Sequence, residues 1–166
     1  MNPAVLAKLK NNSLFAGLDH AQLESFLALL RHESFKSDEI ILREGECGDR
    51  LYLIGEGKVA VVKKVVSNES IQCERLAVLG PGETFGEMEL LDSQPRSATV
   101  VALEPVEVWS LGHSKLLETG GADMRVLNRI LLNLARELSL RLRKTDHWLA
   151  GSLLSGHCQI PAPAKT

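Results

Sequence analysis

The feature that most restricts how this chain folds is a series of short β-prone runs between Phe35 and Leu111, each closed by turn-forming residues. The runs are Ile40-Ile41-Leu42, Leu51-Tyr52-Leu53-Ile54, Val59-Ala60-Val61-Val62, Leu76-Ala77-Val78-Leu79, Ala98 to Ala102 and Val106 to Leu111. Between them stand Gly45, Gly48-Asp49, Gly55, Gly57, Ser67-Asn68, Gly80-Pro81-Gly82 and Pro105. Branched and aromatic residues suit a pleated, half-buried surface, and turns this regular predict an antiparallel roll or barrel. Glu56-Gly57 suits a tight hairpin, because glycine reaches positive φ without a Cβ penalty.

Helical patterns flank this region. Pro3 to Lys10 reads as a short helix interrupted by Asn11-Asn12-Ser13, whose side chains compete for backbone hydrogen bonds. A second helix begins at Asp19, with Gln22 three residues on in capping-box position and Leu23, Phe26, Leu27 and Leu30 on one face. From Asp123 to Leu149 there is neither glycine nor proline. Met124, Leu127, Leu131, Leu134, Leu138, Arg141, Thr145 and Trp148 alternate by three and four, the a/d spacing of a heptad seam. That seam predicts a homodimer through residues 123–149; packing on the chain's own roll is the alternative. The stretch from Gly151, with Pro161-Ala162-Pro163-Ala164, reads as a flexible tail too short for a helix-turn-helix.

A chain of 166 residues supports one well-buried core. The formal net charge of -2 gives no basic field for holding nucleic acid. Cys47, Cys73 and Cys158 are widely separated and odd in number, which argues against a disulfide framework or a zinc knuckle and for a reducing cytoplasm. Met1 to Lys10 mixes charges with small residues, so neither a secretory signal nor a membrane span is expected.

One stretch has the composition of a ligand site: Gly82 to Val100, GETFGEMELLDSQPRSATV. If a helical turn begins at Glu87, its unpaired amides favour an anion, and Arg96 returns with a planar fork of donors suited to phosphate. Ser97 adds a hydroxyl and Ala98 a close backbone amide. Glu87 repels phosphate but accepts a hydrogen bond from a sugar hydroxyl. Together these describe a sugar-phosphate pocket. The competing reading of an Arg and a Glu in a polar loop is a surface ion pair worth at most about 1 kcal/mol.

Gly45, Gly48, Asp49, Tyr52 and Gly57, followed by PGETFGEMELLDSQPRSATV, resemble the cyclic-nucleotide-binding domain family of the catabolite activator protein and protein kinase A regulatory subunit type, over about Leu14 to Leu149. The resemblance implies a mostly β fold with flanking helices. Its centre is an eight-stranded β-roll of jelly-roll-like, double-stranded β-helix type. The expected divisions are an N-terminal helical bundle (1–34), a roll (35–113) with a phosphate-binding cassette at 82–98, C-terminal helices (114–149) and a tail (150–166). It also implies a non-enzymatic, cytoplasmic sensor of cAMP or cGMP, cAMP being the more frequent ligand, with no further cofactor. Gly86 and Glu87 would meet the ribose 2′-hydroxyl, Arg96 the cyclic phosphate, and Ser97 and Ala98 the phosphate oxygens. Met88 would supply backbone and apolar contact, and Leu76 and Leu79 the base side. The long helix would report occupancy to a second copy or to a separate protein effector. Rival expectations are a same-fold interaction module with a non-binding pocket and the sensor half of a transcription regulator.

Two residues depart from the family pattern. Glu89 replaces a small residue on the cassette helix; it either points inward against the ligand or outward to solvent, where it can pair with Arg96 in an empty site. Arg141 stands where the activator protein reads adenine with a threonine, so it either meets the base or is a solvated helix charge. His147, His157 and Cys158 lack metal-ligand spacing, and His20, His32 and His113 read as surface or capping residues. No nucleophile elbow, Cys-His pairing or P-loop is present, so no catalytic machinery is expected.

Overall fold

The computed structural model describes residues 12–67 and 70–153. A 3-10 turn at Ser13–Phe15 leads to α1 (His20–Leu27), where Asp19 and Gln22 close both halves of the expected capping box. Eight strands follow: β1 (Arg31–Phe35), β2 (Ile40–Leu42), β3 (Arg50–Glu56), β4 (Val59–Ser67), β5 (Ser70–Leu79), β6 (Thr84–Phe85), β7 (Thr99–Ala102) and β8 (Val106–Gly112). α2 (Glu87–Asp92) interrupts them, and α3 (His113–Ala122) and α4 (Met124–Leu153) close the described chain.

The strands form two four-stranded antiparallel sheets in the orders β1-β8-β3-β6 and β2-β7-β4-β5. Their facing sides enclose Tyr52, Ile54, Val59, Leu79, Phe85, Val100, Val106 and Val108. β3 and β8 are covered on both faces. Leu51, Leu53, Trp109 and Leu111 point the other way and meet Leu14, Phe26, Leu116, Leu127, Ile130 and Leu134 of the helical layer. Burial on both faces explains why LYLI is uniformly apolar and not alternating. The mostly β roll with flanking helices is the architecture the resemblance implied.

The differences from expectation are local. β1 begins at Arg31, inside the segment assigned to a helical bundle, because Arg31-His32-Glu33-Ser34 is a polar strand paired only with β8. β4 and β5 run on past their apolar runs as a ribbon carrying Lys63, Lys64, Glu74 and Arg75. The helix expected at Pro3 to Lys10 lies outside the described residues. α4 continues through Gly151 to Leu153, beyond the point where a tail was expected; His157 and Cys158 lie outside the described residues.

The heptad seam divides between two directions. Leu127 and Leu134 point into the chain's own core with Ile130, while Asn133 ties α4 to the N-terminal turn through 2.9 Å bonds to the Leu14 and Ala16 carbonyls. Arg141 turns toward the cassette. The face left outward carries Ala135, Leu138, Leu142 and Leu149, at spacings of three, four and seven in a shifted register, while Leu131 packs against the chain's own core; Leu142 is 62% exposed. Among the described residues no helix is long and apolar enough to cross a membrane, and no group of His, Cys, Asp and Glu has metal-binding geometry. Cys47 and Cys73 are free thiols.

Candidate functional site

The cassette is positioned from both ends. β6 pairs with β3 so that the rings of Phe85 and Tyr52 stack at 5.0 Å, which delivers the chain to Gly86. Gly86 takes φ +74°, and a Cβ there would lie 2.7 Å from the Arg50 carbonyl oxygen and 2.9 Å from Arg96 Nη1, so the position admits no side chain. After α2, the Arg96 amide donates to Glu46 O and the Gly45 amide donates to Arg96 O, both at 2.8 Å. These two bonds pin Arg96 to the β2–β3 turn.

The Arg96 guanidinium is buried and is aimed by the groups around it. Nη1 donates to Glu89 Oε2 at 2.7 Å and to Gly86 O at 3.2 Å, and Nη2 donates to Arg50 O at 3.1 Å. Its flat face lies against Gly48, where a Cβ would come within 2.5 Å of Nε and Nη2. Glu89 therefore points inward, the first of its two expected directions. Its other oxygen accepts the Ser97 amide at 2.9 Å. Both side chains are 4% exposed, so the Arg96 pairing expected of an outward Glu89 is made instead by an inward one, and it is a desolvated pair in which each charge depends on the other, unlike the surface ion pair of the competing reading.

Glu87, on the same short helix, faces the long one. Its Oε1 accepts from Arg141 Nη1 at 2.6 Å. The same guanidinium donates to the Thr84 carbonyl, and Nη2 also lies 3.2 Å from Thr84 Oγ1. Arg141 is thus an anchored residue and not the solvated helix charge that was one of its two readings; a partner distant in sequence captures it. Glu87 Oε2 is buried and has no hydrogen-bond partner. Burial raises the Glu87 pKa above the usual carboxylate value, and the Arg141 charge only partly offsets this.

The remaining candidates are more open. Ser97 Oγ lies 3.7 Å from Met88 Sδ, and Met88 is 45% exposed. Lys63 Nζ donates to Ser97 O at 2.6 Å and pairs with Glu44 at 2.9 Å. The pKa of Glu44 is lowered first by the Lys64 amide and then by Lys63. Ala98 is half-buried beside them in sequence. Leu79 belongs to the core between the sheets. Leu76 sits at the β-bulge where Val61 pairs with Ala77 and Val62 with Arg75, and it is 61% exposed. The expected pair of base-side leucines is therefore not one buried wall, because residues three apart on a strand point to opposite faces.

Sequence reasoning missed Thr84 and Glu137. Thr84 Oγ1 donates to Glu137 Oε2 at 2.9 Å, and Ser13 Oγ donates to Glu137 Oε1. Glu137 precedes Arg141 by four, so the two share a helix face; that spacing was the available signal. A cavity of about 280 Å³ borders Arg96, Gly48, Arg50 and Tyr52. A larger one of about 480 Å³, between α1 and the junction of α3 with α4, is lined by none of these residues. The convergent charges mark the site better than cavity size does.

Comparison with known proteins places these features in context. The family described as Cyclic nucleotide-binding domain matches residues 32–120. The chain is 36% identical over 138 residues to the Cyclic AMP receptor protein of Thermus thermophilus, covering 83% of this chain and 61% of that protein. It is 37% identical over 103 residues to the cAMP-dependent protein kinase regulatory subunit of Yarrowia lipolytica, covering 62% of this chain and 25% of that one. The chain thus spans less than two thirds of the length of each of these relatives. A crystal structure of a cyclic nucleotide-binding domain from Methylobacillus flagellatus superimposes with a TM-score of 0.77 at 26% identity, covering 96% of this chain and 85% of that one.

Proposed function

The chain belongs to the cyclic nucleotide-binding domain family, and from that premise we propose that it binds a purine cyclic nucleotide, cAMP in preference to cGMP, and reports its presence through α4. The observation that carries this reading is the partnerless Oε2 of buried Glu87. A buried acceptor without a donor is costly, and a ligand hydroxyl is a neutral donor of the right kind. Arg96 and the Ser97 amide lie on the other side of the same short helix and supply what a phosphate needs. Ala98 and Met88 complete the ligand's surroundings.

Arg141 makes the site readable at a distance. It joins the carboxylate that receives the hydroxyl to the helix that leads out of the domain, so a change at Glu87 acts directly on where α4 sits. Signalling requires only that the ligand bind one position of α4 better than another. We assign the outward stripe Ala135, Leu138, Leu142 and Leu149 to a second copy of the chain, since its spacing of three, four and seven is that of a coiled-coil seam. A separate protein effector would read the helix position.

A specific observation also favours a second reading. With its arginine already neutralised by Glu89, the domain can serve as an interaction module that takes no nucleotide. Isothermal titration with cAMP, cGMP and a cyclic dinucleotide separates the two. Saturable binding of a mononucleotide supports the sensor, and no heat at millimolar ligand with a retained dimer supports the module.

A further inference from the structure

Resting on the nucleotide reading above, we infer that Glu89 is a resident anion: its carboxylate holds the phosphate donors while the pocket is empty, and ligand enters only by exchange with it. The carboxylate uses both of its oxygens in the way a phosphate would. Oε2 accepts from Arg96 Nη1 at 2.7 Å and Oε1 from the Ser97 amide at 2.9 Å. These are the two donors that the nucleotide reading assigns to the phosphate. The other acceptors around the guanidinium, Gly86 O and Arg50 O, are neutral carbonyls, so Glu89 is the anion that balances the buried charge.

A carboxylate and a phosphate cannot share these donors. The pair is buried to 4% on each side, where like charges are poorly screened, and the donor on Nη1 is already committed. Phosphate arrival therefore requires Glu89 to swing away. α2 is held on its inner face by Leu90 in the core and by the Glu87–Arg141 pair, while Met88 and Leu91 are exposed, so Glu89 leaves by rotation of its own side chain and not by rolling of the helix. The carboxylate thereby holds Arg96 in place in the empty domain and sets the threshold that a ligand must exceed.

The test uses the full chain and its variants Glu89→Ser and Glu89→Gln, titrated calorimetrically with cAMP and cGMP, with thermal denaturation to confirm folding. The exchange predicts that Glu89→Ser binds at least tenfold more tightly than wild type and that Glu89→Gln, isosteric but uncharged, falls between them. Equal or weaker binding by folded Glu89→Ser overturns the exchange while leaving the nucleotide reading intact. If Glu89→Ser does not fold, Glu89→Gln decides alone: tighter binding supports the exchange and unchanged binding overturns it. Absence of binding in wild type and in every folded variant removes the nucleotide reading and the exchange with it.

Discussion

Replacing Arg141 with Ala isolates the contact that joins the long helix to the pocket. The substitution leaves Glu87, 5% exposed, without its charged partner, and leaves the Thr84 carbonyl without a donor. Breaking a fully buried ion pair costs about 3–5 kcal/mol. The Arg141 side chain is 35% exposed, so water replaces part of what it gave and the expected loss is nearer 2 kcal/mol. For a domain of this size that lowers the thermal midpoint by about 4–8 °C. The pH dependence follows from Glu87. Its pKa is raised in the folded protein, so its favourable contribution is complete below the unfolded value of about 4.3 and is lost as pH rises through the folded value. Removing Arg141 removes a charge that holds that pKa down, so the penalty is largest at neutral pH and shrinks on acidification. Chemical denaturation of wild type, Arg141→Ala, Glu87→Gln and the double variant measures this as a coupling energy. A coupling of about 1–2 kcal/mol is expected. A coupling near zero, or a penalty that does not change with pH, would return Arg141 to the role of a solvated helix charge.

Two other perturbations have definite outcomes. Arg96→Ala removes the phosphate's charged partner and should weaken cyclic-nucleotide binding by about 2–4 kcal/mol in calorimetry; an unchanged dissociation constant refutes the site assignment. It also strands buried Glu89, so the empty protein should lose about 3 kcal/mol of stability. Leu138→Glu combined with Leu142→Glu should give a monomer in sedimentation velocity, since both lie on the outward stripe of α4 and not in the core; a persistent dimer places the interface elsewhere.

The legibility of the fold varies with how local the cause is. Runs such as Val59-Ala60-Val61-Val62 and Leu51-Tyr52-Leu53-Ile54 announce themselves because burial acts on every residue or every second one. β1 does not, because its edge position and exposure leave RHESF free of any apolar pattern. β6 is two residues long, too short to carry a period. The capping box at Asp19 and Gln22 was legible because it closes within three residues. The heptad in α4 was legible as a spacing but not as a direction. A straight helix drifts about 20° per heptad against a 3.5-residue repeat, so a stripe that begins on the core at Leu127 and Leu134 turns toward the cassette at Arg141.

The site follows the same rule. Gly86, Glu87 and Arg96 stand out by residue type, and the structure places them at the start of one short helix and in the loop that follows it. The directions of Glu87 and Glu89 did not stand out. They depend on which guanidinium reaches which carboxylate, and Arg141 comes from an element far along the chain. Two acids two residues apart in a short helix thus serve opposite sides, one paired to the helix that leaves the domain and one to the arginine of the phosphate site.

The central claim is that the unpartnered oxygen of Glu87 receives a ribose hydroxyl while Arg96 receives the phosphate. Its most direct measurement is a calorimetric comparison of cAMP with its 2′-deoxy analogue. A hydrogen bond to a charged acceptor is worth about 1.5–3 kcal/mol, so the account predicts that the deoxy compound binds about 10- to 100-fold more weakly. Equal affinity for the two, or no binding of cAMP at millimolar concentration, would contradict it.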